Sequence, residues 1–343
     1  MPIHVTPAPI RKNLPLLKKA FCGSRVLVTG GFGFIGSTLT RALIALGAEV
    51  TVIDSLAPQY GGNLRNLAGI NSLLKTKIFD LRDSSGLDHY IRNEDYLFNL
   101  AGQTSHMDSI SDPRTDLEIN VGTQLAILEA CRHHNPKIRV VFASTRQIYG
   151  RPEYLPVDEK HPLRPVDING IHKLAGESYH LLYHQVHGIR STVLRLTNTI
   201  GPRMRVKDAR QTFLGVWIRS LVEGIPFEVW GGDQLRDFTD VDDAVEAFLL
   251  AAAMPEAEGG VFNVGGTRPV SLRELAELMV ELNGGGEFTL KSFPEDRKKI
   301  DIGDYYADYR LIAETLGWRP HTALGSTLAR TLKFYRSELP NYL

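Results

Sequence analysis

The stretch Val26-Leu27-Val28-Thr29-Gly30-Gly31-Phe32-Gly33-Phe34-Ile35-Gly36 leaves the chain few folds to choose from. An apolar run rich in β-branched residues predicts a buried strand, and glycines follow it at once at positions 30, 33 and 36. Apolar residues then recur at Ile35, Leu39, Ala42, Leu43 and Leu46, a stripe of helical period. Gly47 stands where a left-handed cap would end that helix. The three glycines serve different ends. Gly30 allows a tight turn, Gly33 lets backbone approach a pyrophosphate, and Gly36 lets the helix lie close to the sheet. The phosphate would sit on the helix N-terminus, where free N–H groups and the helix dipole favour negative charge.

A glycine turn between strand and helix occurs in many α/β proteins, so the second strand decides. Glu49-Val50-Thr51-Val52-Ile53 ends at Asp54, at the spacing where an acidic residue takes the hydroxyls of an adenosine ribose. A carboxylate there repels a 2′-phosphate, which favours NAD over NADP. The competing reading makes Asp54 a turn residue beside an empty phosphate loop.

With 343 residues the chain suits two domains or one large one. Hydrophobic residues at 43% and charged residues at 23% fit neither a disordered nor a fibrous chain. Lys+Arg and Asp+Glu are equal at 39 each, so no net field draws in nucleic acid or an anionic membrane, and anionic ligands need local partners. Cys22 and Cys131 lie far apart and match neither a disulfide framework nor metal-ligand spacing; a reducing cytoplasm suits them, and no metal is expected. No apolar run approaches the roughly 20 residues of a membrane span. Residues 1–24, rich in proline and lysine at the start, read as an irregular arm packed on the fold or on a partner subunit, without the apolar centre of a signal peptide.

Strands and helices alternate after the first unit. Lys77-Ile78-Phe79 and Tyr96-Leu97-Phe98-Asn99-Leu100 predict strands, and a long helix is expected from about Arg114 to His134. A strand over Ile138–Ala143 runs into Ser144-Thr145-Arg146-Gln147, a second long helix covers Ile171 to Val186, and another strand covers Ser191–Leu196. This is the rhythm of a doubly wound, Rossmann-type parallel sheet whose ligands lie outside the carboxyl ends of its strands. Beyond Pro202 loops increase; helices are expected near Thr212–Glu223, Asp242–Ala253 and Leu272–Leu282, with a strand at Gly260–Val264. The division expected is an NAD-binding domain at 25–201 plus about 241–265, and a smaller C-terminal substrate lobe at 202–240 and 266–343.

These residues resemble the extended short-chain dehydrogenase/reductase superfamily, within it the nucleotide-sugar epimerases and dehydratases. Thr29 to Gly36 is similar to the family's T-G-x-x-G-x-x-G, Leu100 to Gln103 to its L-A-A-Q with Gly102 in place of alanine, and Asn120-Val121-Gly122-Thr123 to its N-V-x-G-T. Arg236 to Asp243 is similar to R-D-F-x-x-V-D-D, and Phe262 to Gly265 to F-N-V-G. The resemblance implies an α/β Rossmann fold. It implies NAD held by Gly30, Phe32, Gly33, Phe34, Ile35, Gly36, Asp54, Asp80, Leu81, Leu100, Ala101, Gly102, Gln103, Asn120 and Lys173. It further implies a nucleoside diphosphate sugar, a UDP-sugar first, between the lobes, met by Ser144, Thr145, Asn198, Val229, Arg236 and Arg297, with Trp230 either flanking the base or in the core. Relatives dimerise through the two long helices, and Leu125, Leu128, Leu181 and Leu182 permit a homodimer here.

The family's proton acceptor is the tyrosine of Y-x-x-x-K. Here Lys173 is present but the tyrosine position holds Asn169, whose amide has no useful basicity. Histidine, with an ordinary pKa of ~6.5, is the natural substitute. His172 lies one helical turn from Asn169, and His106 stands in a loop expected to face the sugar; Tyr149 is a third candidate. Thr145 falls where the family bonds the reacting sugar oxygen. Dehydratase relatives follow that threonine with Asp and Glu, whereas Arg146 and Gln147 take no proton. The reading that results is an NAD-dependent nucleotide-sugar epimerase, acting at C4 by transient hydride transfer. Its rivals are a keto-sugar reductase, a uronic acid decarboxylase and a catalytically quiet binder of NAD and a nucleotide-sugar.

Overall fold

The computed structural model describes residues 8–293 and 301–343. Its centre is a parallel sheet in which the expected strands all appear. The strands are β1 (Arg25–Thr29), β2 (Glu49–Asp54), β3 (Lys75–Ile78), β4 (Tyr96–Asn99), β5 (Arg139–Thr145) and β6 (Arg190–Leu196), followed by β7 (Asn198–Ile200), β8 (Phe227–Trp230), β9 (Leu235–Arg236), β10 (Phe238–Asp240), β11 (Val261–Val264), β12 (Val270–Ser271) and β13 (Phe288–Lys291). Seven of them form the main sheet, in the order β11-β6-β5-β4-β1-β2-β3. The order reverses between β1 and β4, and a crevice opens where the connections leave in opposite directions.

The helices are α1 (Ala8–Phe21), α2 (Phe34–Leu46), α3 (Leu87–Ile91), α4 (His106–Ser111), α5 (Pro113–Leu117), α6 (Thr123–His134), α7 (Ile168–His187), α8 (Phe213–Glu223), α9 (Val241–Ala253), α10 (Leu272–Asn283), α11 (Arg310–Leu316) and α12 (Leu324–Glu338). Among the described residues no helix is long and apolar enough to cross a membrane.

Strand residues alternate between two buried layers, as period 2 requires. Val26, Val28, Val52, Phe98 and Val141 face a core shared with Leu39 and Leu43 of α2 and with Val245, Phe248 and Leu249 of α9. Leu27, Ile53, Leu97 and Val140 face Ile127 and Leu128 of α6 and Tyr183 of α7. A further core joins Trp217 and Ile218 of α8, Leu275 and Met279 of α10, and Leu328 and Leu332 of α12. Phe34, at the start of α2, packs into that third core and so ties the glycine turn to the C-terminal lobe.

Two expectations need correction. Within the segment read as an irregular arm, Ala8–Phe21 form the helix α1, which packs on the fold as expected: its Leu17 and Phe21 are completely buried in the sheet core beside α9. Pro15 lies inside it and removes one helical hydrogen bond, a local cost that the burial of two large side chains offsets. The long helix expected over 114–134 is α5 and α6 joined by a π-helical turn, Glu118–Gly122. Such turns are frequent at functional sites, and this one carries Asn120.

Candidate active site

The carboxyl ends of the central strands border one cavity of about 970 Å³, which runs from the glycine turn across β4 and β5 to the second lobe. At its head Gly30 adopts φ +68°, and a Cβ there would lie 2.9 Å from the Leu100 carbonyl. A Cβ on Gly36 would collide with the Gly30 carbonyl oxygen, so α2 approaches the turn only because position 36 lacks a side chain. The N-terminus of α2 has no side-chain cap and opens into the cavity through Gly33, Phe34 and Ile35.

Asp54 lies at the end of β2. Its carboxylate accepts from Phe32 N at 3.0 Å and Leu56 N at 2.9 Å, and burial raises its pKa against those two bonds. It thus fixes the turn while lining the cavity. Asp80 also lines it; its carboxyl is held below the ordinary range by the paired Arg82 guanidinium at 2.6 Å. Leu81, Leu100, Ala101 and Gly102 complete this end. The residues fit an adenine dinucleotide: a side-chain-free turn, unbonded helix N–H groups and a carboxylate at the ribose position.

Asp167 begins α7 as its N-cap, accepting from Gly170 N at 2.6 Å. One helix face then carries Asn169, Lys173, Glu177 and His180, all buried and polar at helical spacing, toward the sheet end. The Lys173 ammonium donates to Ala143 O at 3.0 Å and lies 5.0 Å from the Phe142 ring centre. Burial lowers its pKa to about 8, opposed by Asp116. Asn169 donates from its amide to the Gln103 carbonyl oxygen at 2.9 Å and to Asp116 at 3.1 Å. Asp116, itself buried, also accepts from Asn120 at 3.1 Å and stands 2.6 Å from His172 Nδ1.

The structure separates the two histidine candidates. His172 turns to Asp116 and does not line the cavity, whereas His106 does. The His106 Nδ1 atom stands 2.8 Å from the Asp167 carboxylate, within ion-pair distance but not aligned for a hydrogen bond, and its Nε2 lies 3.1 Å from the Gln147 side-chain amide. Burial pushes the Asp167 carboxyl up, but His106 and the Gly170 N–H outweigh it and hold the group below the ordinary range. Tyr149 is buried away from the cavity: its hydroxyl donates to Asn263 at 2.7 Å, accepts from Arg195, and is driven up in pKa by burial.

Thr145 lines the cavity at the end of β5, its hydroxyl accepting from Gln147 N at 3.3 Å. Ser144 borders the same space, but its hydroxyl donates to Glu177 at 2.7 Å, within a buried cluster where Glu177 pairs with Arg195 at 2.5 Å. Asn198, Trp230 and Arg236 line the far end. The Arg236 guanidinium donates to the carbonyls of Leu235 and Gly303 and lies 3.3 Å from Asp301; burial and then neighbouring Arg146 lower its pKa to about 10. Four residues expected at the ligands stand behind the lining: Val229 is in the C-terminal core, Phe32 is buried against the sheet core, and Gln103 and Asn120 hold the Asn169 cluster. Arg297 lies outside the described residues. Sequence reasoning passed over Asp167 and Asp116, and took Arg146 only as a residue that accepts no proton. Asp167 carried a helix-start signal, while Asp116 acts across two helices and shows no local one.

Fold and cavity together define a Rossmann-type α/β protein whose strand ends open into a cavity fit for a dinucleotide. The chain belongs to the NAD dependent epimerase/dehydratase family, whose sequence profile matches residues 26–265, and NAD is its cofactor. It is 31% identical over 316 residues to a putative UDP-glucose 4-epimerase of Methanocaldococcus jannaschii, covering 91% of this chain and 98% of that protein. It is 32% identical over 326 residues to dTDP-glucose 4,6-dehydratase of an Actinoplanes species, covering 91% and 98%. The crystal structure of UDP-glucose 4-epimerase from Thermotoga maritima with UDP-glucose superposes with a TM-score of 0.84 at 30% identity, over 92% of this chain and 99% of that one.

Proposed function

We propose that the protein is an NAD-dependent nucleotide-sugar epimerase, inverting C4 of a UDP-linked or related hexose, in which His106 replaces the absent tyrosine as proton acceptor. The observation that carries this reading is the His106–Asp167 pair in the cavity that also holds Thr145 and Lys173. NAD, when bound, would supply the hydride acceptor and donor that inversion needs. Thr145 bonds the reacting hydroxyl, and His106 Nε2 takes its proton in place of the Gln147 contact. Asp167 orients the ring and stabilises the imidazolium that forms, as a carboxylate behind a histidine does in hydrolases. Arg146 and Gln147 offer no acid–base pair for eliminating water, which disfavours dehydration. The protein acts as a homodimer in a reducing cytoplasm. In support, Ile171, Leu182 and Val186 of α7 and Leu125 of α6 leave an apolar face exposed, whereas Leu128 is core.

One observation favours a catalytically quiet binder: Asn169 is fully engaged by Gln103 and Asp116. The same experiment decides between them. Purified protein is incubated with a panel of nucleotide-sugars and the products are read by NMR, for wild type and His106→Gln. Inverted C4 in the wild type, with an acid limb in the rate profile that the variant lacks, is expected. A dehydrated, reduced or decarboxylated product, or no turnover, overturns the epimerase reading; an unchanged rate profile in H106Q removes the histidine.

A further inference from the structure

The cavity holds a cation that epimerisation does not use. Arg146 follows Thr145 and its side chain lines the cavity. Its Nη2 donates to the Asn198 side-chain oxygen at 3.3 Å, and the guanidinium lies 5.2 Å over the Tyr305 ring. Its Nη1 is buried, with no hydrogen-bond partner among the described residues. Asp167, Asp237 and Asp301 attract it from a distance without pairing with it: Asp167 stands against His106 and Gly170, Asp301 meets Arg236, and Asp237 accepts from the N–H groups of Gly266 and Ala307 through Oδ2 while its buried Oδ1 has no hydrogen-bond partner among the described residues. Arg236, by contrast, has carbonyls and a carboxylate of the protein around its donors.

A buried guanidinium nitrogen left without an acceptor is costly, and the planar fork of donors matches a carboxylate. Its place is informative too. Arg146 stands between Thr145, which meets the reacting hydroxyl, and Asn198, assigned to the diphosphate, so it lies alongside the sugar ring. A carboxylate attached at C5 of a hexose adjoins the C4 hydroxyl that Thr145 and His106 address. We infer that Arg146 binds a carboxylate on the sugar, so that the substrate is a nucleotide-linked acidic sugar. This rests on the nucleotide-sugar reading of the cavity.

Calorimetric titration of the NAD-loaded protein tests it, with UDP, UDP-glucose and UDP-glucuronic acid, and with GDP, GDP-mannose and GDP-mannuronic acid. Within the series whose base the protein accepts, the acidic sugar is expected to bind about tenfold or more tighter than its neutral counterpart, the scale of one charge-assisted fork. Arg146→Gln should erase that preference while leaving the nucleoside diphosphate within about threefold of wild type, and Arg146→Lys should keep part of it. Equal binding of acidic and neutral sugars by the wild type overturns the inference. So does an Arg146→Gln variant that loses the nucleoside diphosphate as strongly as the acidic sugar, since Arg146 would then be a diphosphate anchor. Both of these leave the nucleotide-sugar reading standing. A wild-type protein that binds none of the six ligands overturns both.

Discussion

Replacing Lys173 by methionine is expected to stabilise the cofactor-free protein while abolishing turnover. Folding buries this ammonium and lowers its pKa from the ordinary 10.5 to about 8. At ~1.4 kcal/mol per pH unit, that fall corresponds to a penalty of about 3 kcal/mol for holding the charge inside. Methionine gives up the bond to Ala143 O, worth about 1 kcal/mol, and the contact with the Phe142 ring, worth roughly 0.5–1 kcal/mol. Methionine fills a similar volume, so the net gain at pH 7 should be about 1–2 kcal/mol. The pH dependence separates this cause from ordinary repacking. Below about pH 8 both folded and unfolded wild type carry the proton, and the penalty is complete. Between about 8 and 10.5 the unfolded chain keeps a proton that the folded chain has released, so wild-type stability rises with pH. The advantage of K173M should therefore be whole at pH 7 and gone near pH 10.5. Urea unfolding of NAD-stripped wild type and K173M at pH 7 and pH 10 measures it. A variant less stable than wild type at pH 7, or a difference that does not shrink with pH, refutes the reasoning.

Gly36→Ala should force the Gly30 carbonyl and α2 apart, costing about 1–3 kcal/mol of stability, with NAD affinity reduced at least tenfold in fluorescence titration. Unchanged NAD affinity in G36A would remove the glycine turn from the cofactor site. Leu182→Glu, on the exposed face of α7, should convert a dimer to a monomer in light scattering with little change in monomer stability, and a wild type that is already monomeric sinks that assignment.

Strand β1, the glycine turn and helix α2 were legible because apolar period and glycine spacing are local properties. Helix α1 was not, since Pro15 reads as a breaker and the burial of Leu17 and Phe21 depends on α9, more than 200 residues away in sequence. The histidines show the same limit within the site. Spacing alone put His172 one turn from Asn169, but its ring direction is decided by Asp116 on another helix, and His106 is held by an Asp167 that sequence separates from it. From the sequence, Arg146 says only that no proton is taken at that position. That its Nη1 finds no hydrogen-bond partner among the described residues is a three-dimensional fact with no sequence signature.

Asparagine at position 169 belongs to the same logic. The Asp116 carboxylate is buried, and its acceptors are met by the amides of Asn120 and Asn169 and by His172. A tyrosine at 169 has one hydroxyl and cannot donate to Gln103 and Asp116 together from the position of the amide. Losing one donor to a buried carboxylate costs about 1–3 kcal/mol. The asparagine is therefore built into a polar cluster that fixes α5, the π-helical turn and α7 against one another. With that position committed to structure, the proposed epimerase needs another proton acceptor, and His106 beside Asp167 is the histidine that lines the cavity.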